Sequence, residues 1–155
     1  MAAQPFLYGD TWIEVKDGDL SGMALFKRHY SARTTEPKIH QFVGPGEKMV
    51  LLTPDARALF AWRKEMFRLD DQTGVNCAVF RNEQSAYGRS SELITAAMLL
   101  AWERWPGERL FTFVDASKIR HKRDPGRCFM RAGFTPCGQS KSGKLAFEAY
   151  PSHSC

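Results

Sequence analysis

The sequence predicts an α/β fold, a mixed central sheet of about seven strands flanked by about three helices. Three observations predict it. Short apolar runs such as Cys77-Ala78-Val79-Phe80, and the segment from Arg109 to Asp115, have the density of strand formers expected of buried strands. A helical apolar periodicity starts at Leu93 and stops at Pro106-Gly107. The two patterns alternate, and strands joined through a helix crossover run parallel. The 155 residues suit one domain, 1–155, able to close a core without metal or disulfide.

In chain order, Phe6 to Lys16 alternates loosely and reads as a first strand ending at Asp17-Gly18-Asp19. Leu20, Met23, Leu25, Phe26 and Tyr30 share roughly one helical face, so a helix is expected from Leu20 to Ser31 with Asp19 or Ser21 as its cap. Ile39 to Val43 and Lys48 to Thr53 read as short strands joined by Gly44-Pro45-Gly46. Ala58 to Arg68 suits either a strand or a short helix. A strand is favoured because Asp70 to Gly74 then turns directly into the strand at Val75.

The helix from Leu93 to Trp105 and the strand from Arg109 to Asp115 follow. A short helix then opens at Asp124-Pro125-Gly126 with Pro125 in its first position, runs to Arg131 and stops at Gly133. Phe134 to Gly138 and Leu145 to Tyr150 are the last strands. Trp62, Phe67, Trp102 and Trp105 fall at spacings that make them mainly core.

Twenty-two Lys and Arg against 17 Asp and Glu give a net charge of +5, which suits an acidic partner but is equally that of a solvated basic surface. The basic stretch Lys118, Arg120, His121, Lys122, Arg123 has the same two readings, a grip on phosphates or a solvated loop. The cysteines Cys77, Cys128, Cys137 and Cys155 form no Cys-x-x-Cys pair, which argues against a zinc knuckle or thioredoxin motif and for reduced thiols. No run has the ~18 apolar residues of a membrane span, and Met1 to Asp10 lacks the pattern of a signal peptide. A cytoplasmic protein with no membrane association is expected.

The stretch from Val75 to Trp105 reads as strand, loop, helix. The first amides of such a helix lack intrahelical acceptors and favour anions. Ser90 and Ser91 are suitable N-caps, Glu92 sits in the first turn and Gly88 permits close approach to the backbone. The stretch is a cradle for a coenzyme's pyrophosphate, or simply a well-capped helix after a surface loop.

Ser85-Ala86-Tyr87-Gly88-Arg89-Ser90 with Leu93, and the ending Arg127-Cys128-Phe129-Met130-Arg131-Ala132-Gly133-Phe134, resemble the GNAT family of acetyl-CoA-dependent N-acyltransferases. His29-Tyr30-Ser31, Ser90-Ser91-Glu92-Leu93, Phe113-Val114-Asp115 and Gly126 to Phe134 look closest to the phage Mom-like branch, which modifies adenine in DNA. The resemblance implies acetyl-CoA held by Phe80, Arg81, Tyr87, Gly88, Arg89, Ser90, Ser91 and Phe129, between splayed parallel strands. It also exposes two departures. Ser85 stands where the family has Gln or Arg, and Phe129 stands where it has the Tyr that protonates the leaving thiolate; a phenyl ring donates no proton.

An amine attacking a thioester must lose a proton, so a base is needed. His29, Glu83 and Asp115 are the candidates, with Tyr30 as an alternative proton donor or stacking platform. Each also has a structural role open to it: His29 at a helix C-terminus, Glu83 as a solvated loop carboxylate, Asp115 as a turn cap and Tyr30 as core. The expected function is acyl transfer to an amine, with a nucleobase in DNA as favoured acceptor. A small-molecule or protein N-acetyltransferase is a rival, as is a non-catalytic binding module of the same fold.

Overall fold

Alternating side chains on a fully covered strand must be apolar on both faces, and the middle of this sheet meets that demand. The computed structural model describes residues 6–8 (backbone only), 11–28, 43, 46–65, 72–116 and 126–151. The elements are β1 (Phe6–Tyr8), β2 (Trp12–Val15), α1 (Leu20–Lys27), β3 (Glu47–Leu52), β4 (Ala58–Lys64), β5 (Val75–Asn82), α2 (Ser90–Arg104), β6 (Leu110–Val114), α3 (Arg127–Arg131), β7 (Thr135–Gln139) and β8 (Leu145–Ala149). They form one eight-stranded mixed sheet in the order β1-β2-β3-β4-β5-β6-β8-β7. Among the described residues, only β5 and β6, joined through α2, pair in parallel.

The sheet carries a core on each face. Met49 and Leu51 of β3 and Ala58, Phe60 and Trp62 of β4 join Leu93, Ile94, Ala97 and Ala101 of α2. The intervening Val50, Leu52, Leu59 and Ala61 join Met23, Leu25 and Phe26 of α1 on the other face. Two indoles fix the register of α2 on the sheet: Trp12 Nε1 donates to the Leu93 carbonyl at 3.0 Å, and Trp62 Nε1 donates to the Ala97 carbonyl at 2.9 Å. Those carbonyls lie one turn apart on one helix face.

Several sequence expectations change here. The first expected strand is two antiparallel strands, β1 and β2, with Phe6 opposite Glu14. Helix α1 is capped by Asp19, whose carboxylate accepts from the Gly22 amide, but its last helical residue is Lys27, short of the expected Ser31. Leu20 is 88% exposed, off the buried face to which periodicity assigned it. Val43 is buried but in no strand; residues 39–42, like Phe67, lie outside the described residues. Ala58 to Lys64 is a strand, as favoured, and Trp62 and Trp105 are buried. Helix α3 begins at Arg127 with Gly126 as N-cap, so the first helical position does not belong to Pro125.

Candidate active site

Strand β5 carries one residue too many for its neighbour β4. Ala61 faces Val79 and Trp62 faces Cys77, which leaves Ala78 as a bulge in β5. The bulge reverses the facing of the strand: Val75 and Cys77 belong to the core under α2, whereas Val79 belongs to the core under α1. The parallel ladder to β6 ends at the same point. Val75, Asn76 and Cys77 pair with Leu110, Phe111 and Thr112, and no pair follows, although β5 runs on to Asn82 and β6 to Val114.

A cavity of about 170 Å³ opens where the ladder stops. Residues 77–80 line one side, residues 112–114 the other, and Gly126, Cys128 and Phe129 close it from α3. Gly126 has φ +78°, and a Cβ there would lie 2.4 Å from Cζ of Phe147, so only glycine fits this wall. Phe129 sits in an aromatic run, edge to face with Phe80 at 6.0 Å and with Phe134 at 5.3 Å. Thr112 Oγ1 donates to the Cys77 carbonyl at 3.5 Å, and Cys77 Sγ donates to the Val79 carbonyl at 3.7 Å. Burial pushes the Cys77 thiol up, and nearby Cys128 pushes it further.

The loop between β5 and α2 is braced by the protein's own side chains. The Asp55 carboxylate accepts from Ser85 Oγ at 3.0 Å and from the Ala86 amide at 2.9 Å. Burial raises the Asp55 pKa, but hydrogen bonds from Thr53, Ala86, Ser85 and Arg57 outweigh it and hold the carboxyl below its ordinary value. Asn82 Oδ1 accepts from the Ser85 amide, and Ser85 Oγ accepts from that of Tyr87. The helix cap is Arg89, in place of the expected Ser90 or Ser91. A guanidinium has no acceptor atom, so the capping is done from the other side: Glu92 Oε1 accepts from the Arg89 amide at 3.0 Å. Ser90 instead accepts from Asn82 Nδ2.

The sequence-derived site residues scatter accordingly. Phe80 and Phe129 line the cavity. Gly88, Ser90 and Ser91 stand at the amide end of α2, and Tyr87 is 41% exposed beside them. Arg81 donates through Nη1 to the Arg28 carbonyl at 2.7 Å and through Nε to Glu83. Glu83 also takes two bonds from Arg28, at 2.7 and 2.8 Å. The Arg28 hydrogen bonds, aided by Arg81 and opposed by slight burial, hold the Glu83 carboxyl at about 2. A carboxylate so stabilised is a weak proton acceptor near neutrality, and its bonds tie the end of α1 to the end of β5. Asp115 is half-buried just past the end of β6. His29, Tyr30 and the basic stretch from Lys118 to Arg123 lie outside the described residues.

Sequence reading missed the Ala78 bulge, the thiols and Thr112 of the cavity wall, and Asp55. The turn Thr53-Pro54-Asp55 carried a signal for Asp55, since an Asp after Pro favours side-chain to backbone bonding. Among the described residues, no group of three or more His, Cys, Asp or Glu is placed to hold a metal ion, and no helix is long and apolar enough to cross a membrane. No protein-family model matches the sequence, and no curated protein is significantly similar to it.

Proposed function

We propose that the protein is an acyltransferase that uses acetyl-CoA to acylate an amine, with a nucleobase in DNA as the favoured acceptor. The observation that carries this reading is the split between parallel strands: a bulge stops the β5–β6 ladder at Cys77 and Thr112, and an apolar cavity flanked by strand backbone opens there. Backbone amides released from a ladder are suited to bind a thioester carbonyl and stabilise the oxyanion formed as the amine attacks. The apolar walls from Phe80, Val114 and Phe129 exclude water from a thioester. With the β5–α2 loop drawn towards Asp55, a coenzyme diphosphate would meet the helix end over Gly88, Ser90 and Ser91 rather than at Ala86 or Arg89.

With Glu83 held as a carboxylate by two arginines, Asp115 and His29 are the remaining candidate bases. Net charge and the Mom-like resemblance support the nucleobase acceptor. A second reading, a non-catalytic binding module, is favoured by one observation: Asp55 and Glu92 already use amides that a phosphate would take.

Isothermal titration with acetyl-CoA decides between them. Binding by wild type that Gly88→Glu abolishes supports the acyltransferase; no heat from either protein supports the module. Mass spectrometry of nucleosides from the DNA of expressing cells then tests the acceptor, with Asp115→Ala as control. A modified base that depends on Asp115 supports the nucleobase, and unmodified DNA turns the reading to a small-molecule or protein amine.

A further inference from the structure

The two ends of the sheet carry their charge differently. At the end where β3 begins and β4 finishes, cations have carboxylates of their own: Lys48 meets Asp17 at 3.0 Å, Lys64 meets Glu108 at 2.9 Å and Arg109 meets Glu148 at 2.7 Å. At the end where the cavity opens, positive charge is in excess. Glu83 there is shared by two guanidiniums, of Arg28 and Arg81, and the carboxylates of Asp55 and Glu92 are bonded to the amides of Ala86 and Arg89. Asp115, just past β6, is the other carboxylate at this end among the described residues. Arg57, Lys141 and Lys144 are exposed at the same end, and none has a carboxylate partner among the described residues.

These cations flank the cavity. Arg57 immediately precedes β4, and its carbonyl accepts from the Glu83 amide at 2.7 Å. Lys144 immediately precedes β8, whose first residue, Leu145, pairs with Val114. Between them the sheet runs β4-β5-β6-β8, and with neighbouring strands ~4.8 Å apart the two sides are separated by at least about 14 Å. One diphosphate cannot meet both sides. A nucleic-acid strand, with a phosphate every ~3.4 Å along its axis, can. We propose that Arg57 on one side of the cavity, and Lys141 and Lys144 on the other, hold the phosphate backbone of a nucleic-acid strand that presents one unstacked base to the opening between β5 and β6. Arg57 offers a phosphate a planar fork of donors and the lysines offer point charges; none of them reads a base, so they set the position of the strand and leave its sequence free. This rests on the nucleobase half of the reading above and not on the coenzyme.

Fluorescence anisotropy of the full chain with a labelled, mixed-sequence single-stranded oligonucleotide tests this, read as the slope of log affinity against log salt. Arg57→Gln is expected to reduce the slope by about 0.7, and Lys141→Gln with Lys144→Gln by about 1.4, alike for oligonucleotides of different sequence. Lys16→Gln removes the same charge from an exposed lysine past the far end of β2 and leaves the slope unchanged. All these variants keep the wild-type affinity for acetyl-CoA in isothermal titration. A slope that falls equally with Lys16→Gln, or no oligonucleotide binding by a protein that binds acetyl-CoA, overturns this inference alone. Competition by poly-glutamate as strong as that by the oligonucleotide overturns it in favour of an acidic polypeptide, and a parallel loss of acetyl-CoA affinity in Arg57→Gln overturns it in favour of the coenzyme. The expected slopes in a protein that fails to bind acetyl-CoA support this inference and overturn the acyltransferase reading.

Discussion

The two sides of strand β5 obey opposite rules. Towards β4 it pairs along its length, from Ala58 opposite Asn82 to Arg63 opposite Asn76, and absorbs the Ala78 bulge as a local shift. Towards β6 it pairs for three residues and then parts company. On the β4 side Phe60 and Trp62 are fully buried with ring centroids 4.6 Å apart, and the helix above is held by indole bonds. On the β6 side the short helix α3 presents Cys128 and Phe129 to a cavity. The bulge is accommodated within the antiparallel pairing to β4, and the parallel pairing to β6 stops beside it. A packed core and an open cavity thus lie on the two sides of one bulged strand.

Substitutions on the closed side should cost most. Trp62→Ala removes a fully buried indole and its bond to Ala97, and is expected to lower stability by ~3–5 kcal/mol in urea unfolding. A loss under ~1 kcal/mol would show that this side is not the rigid one. On the open side, Gly126→Ala places a methyl group 2.4 Å from the Phe147 ring at a φ of +78°. The expected cost is ~1–3 kcal/mol, because the buried Phe147 ring must shift and the backbone there disfavours a side chain. A loss of acetyl-CoA binding larger than the loss of stability would assign the glycine to the site.

The Glu83 clamp ties the end of α1 to the end of β5, and it titrates. Its carboxyl lies at about 2 in the folded protein against an ordinary 4.5. The depressed value means that its stabilisation is complete above 4.5 and is lost as pH falls from 4.5 towards 2. Glu83→Gln should flatten that part of the stability-pH curve, with an effect smaller than either core substitution because the pair is solvent-screened. An unchanged curve would mean that Arg28 and Arg81 do not hold it in solution. The smallest effect is expected at Leu20, 88% exposed, where Leu20→Ser should shift stability by less than ~0.5 kcal/mol. A larger cost would restore Leu20 to the buried face of α1.

The Leu20 case also shows how far periodicity carries. Met23, Leu25 and Phe26 are buried as their spacing implies, but Leu20, the first residue of the helix, is exposed. In the same way the loop before α2 was legible from Gly88 and the small residues around it. Its bracing by Asp55 was not, because Asp55 and Ala86 are 31 residues apart. Glu83 was readable as a carboxylate at a strand end, and its bonds to Arg28 came from a helix 55 residues away.

The chain alone determined most of where strands and helices form, since apolar runs, periodicity and Pro-Gly stops act over a few residues, but not that Phe6 to Lys16 splits into two strands or that α1 stops at Lys27. Only the assembled sheet decided that Val75, Cys77 and Val79, an unbroken alternation in sequence, do not share one face. Side-chain alternation is a property of one strand, but a bulge exists only relative to its partner's register, and the cleft beside it is set by pairing across the sheet.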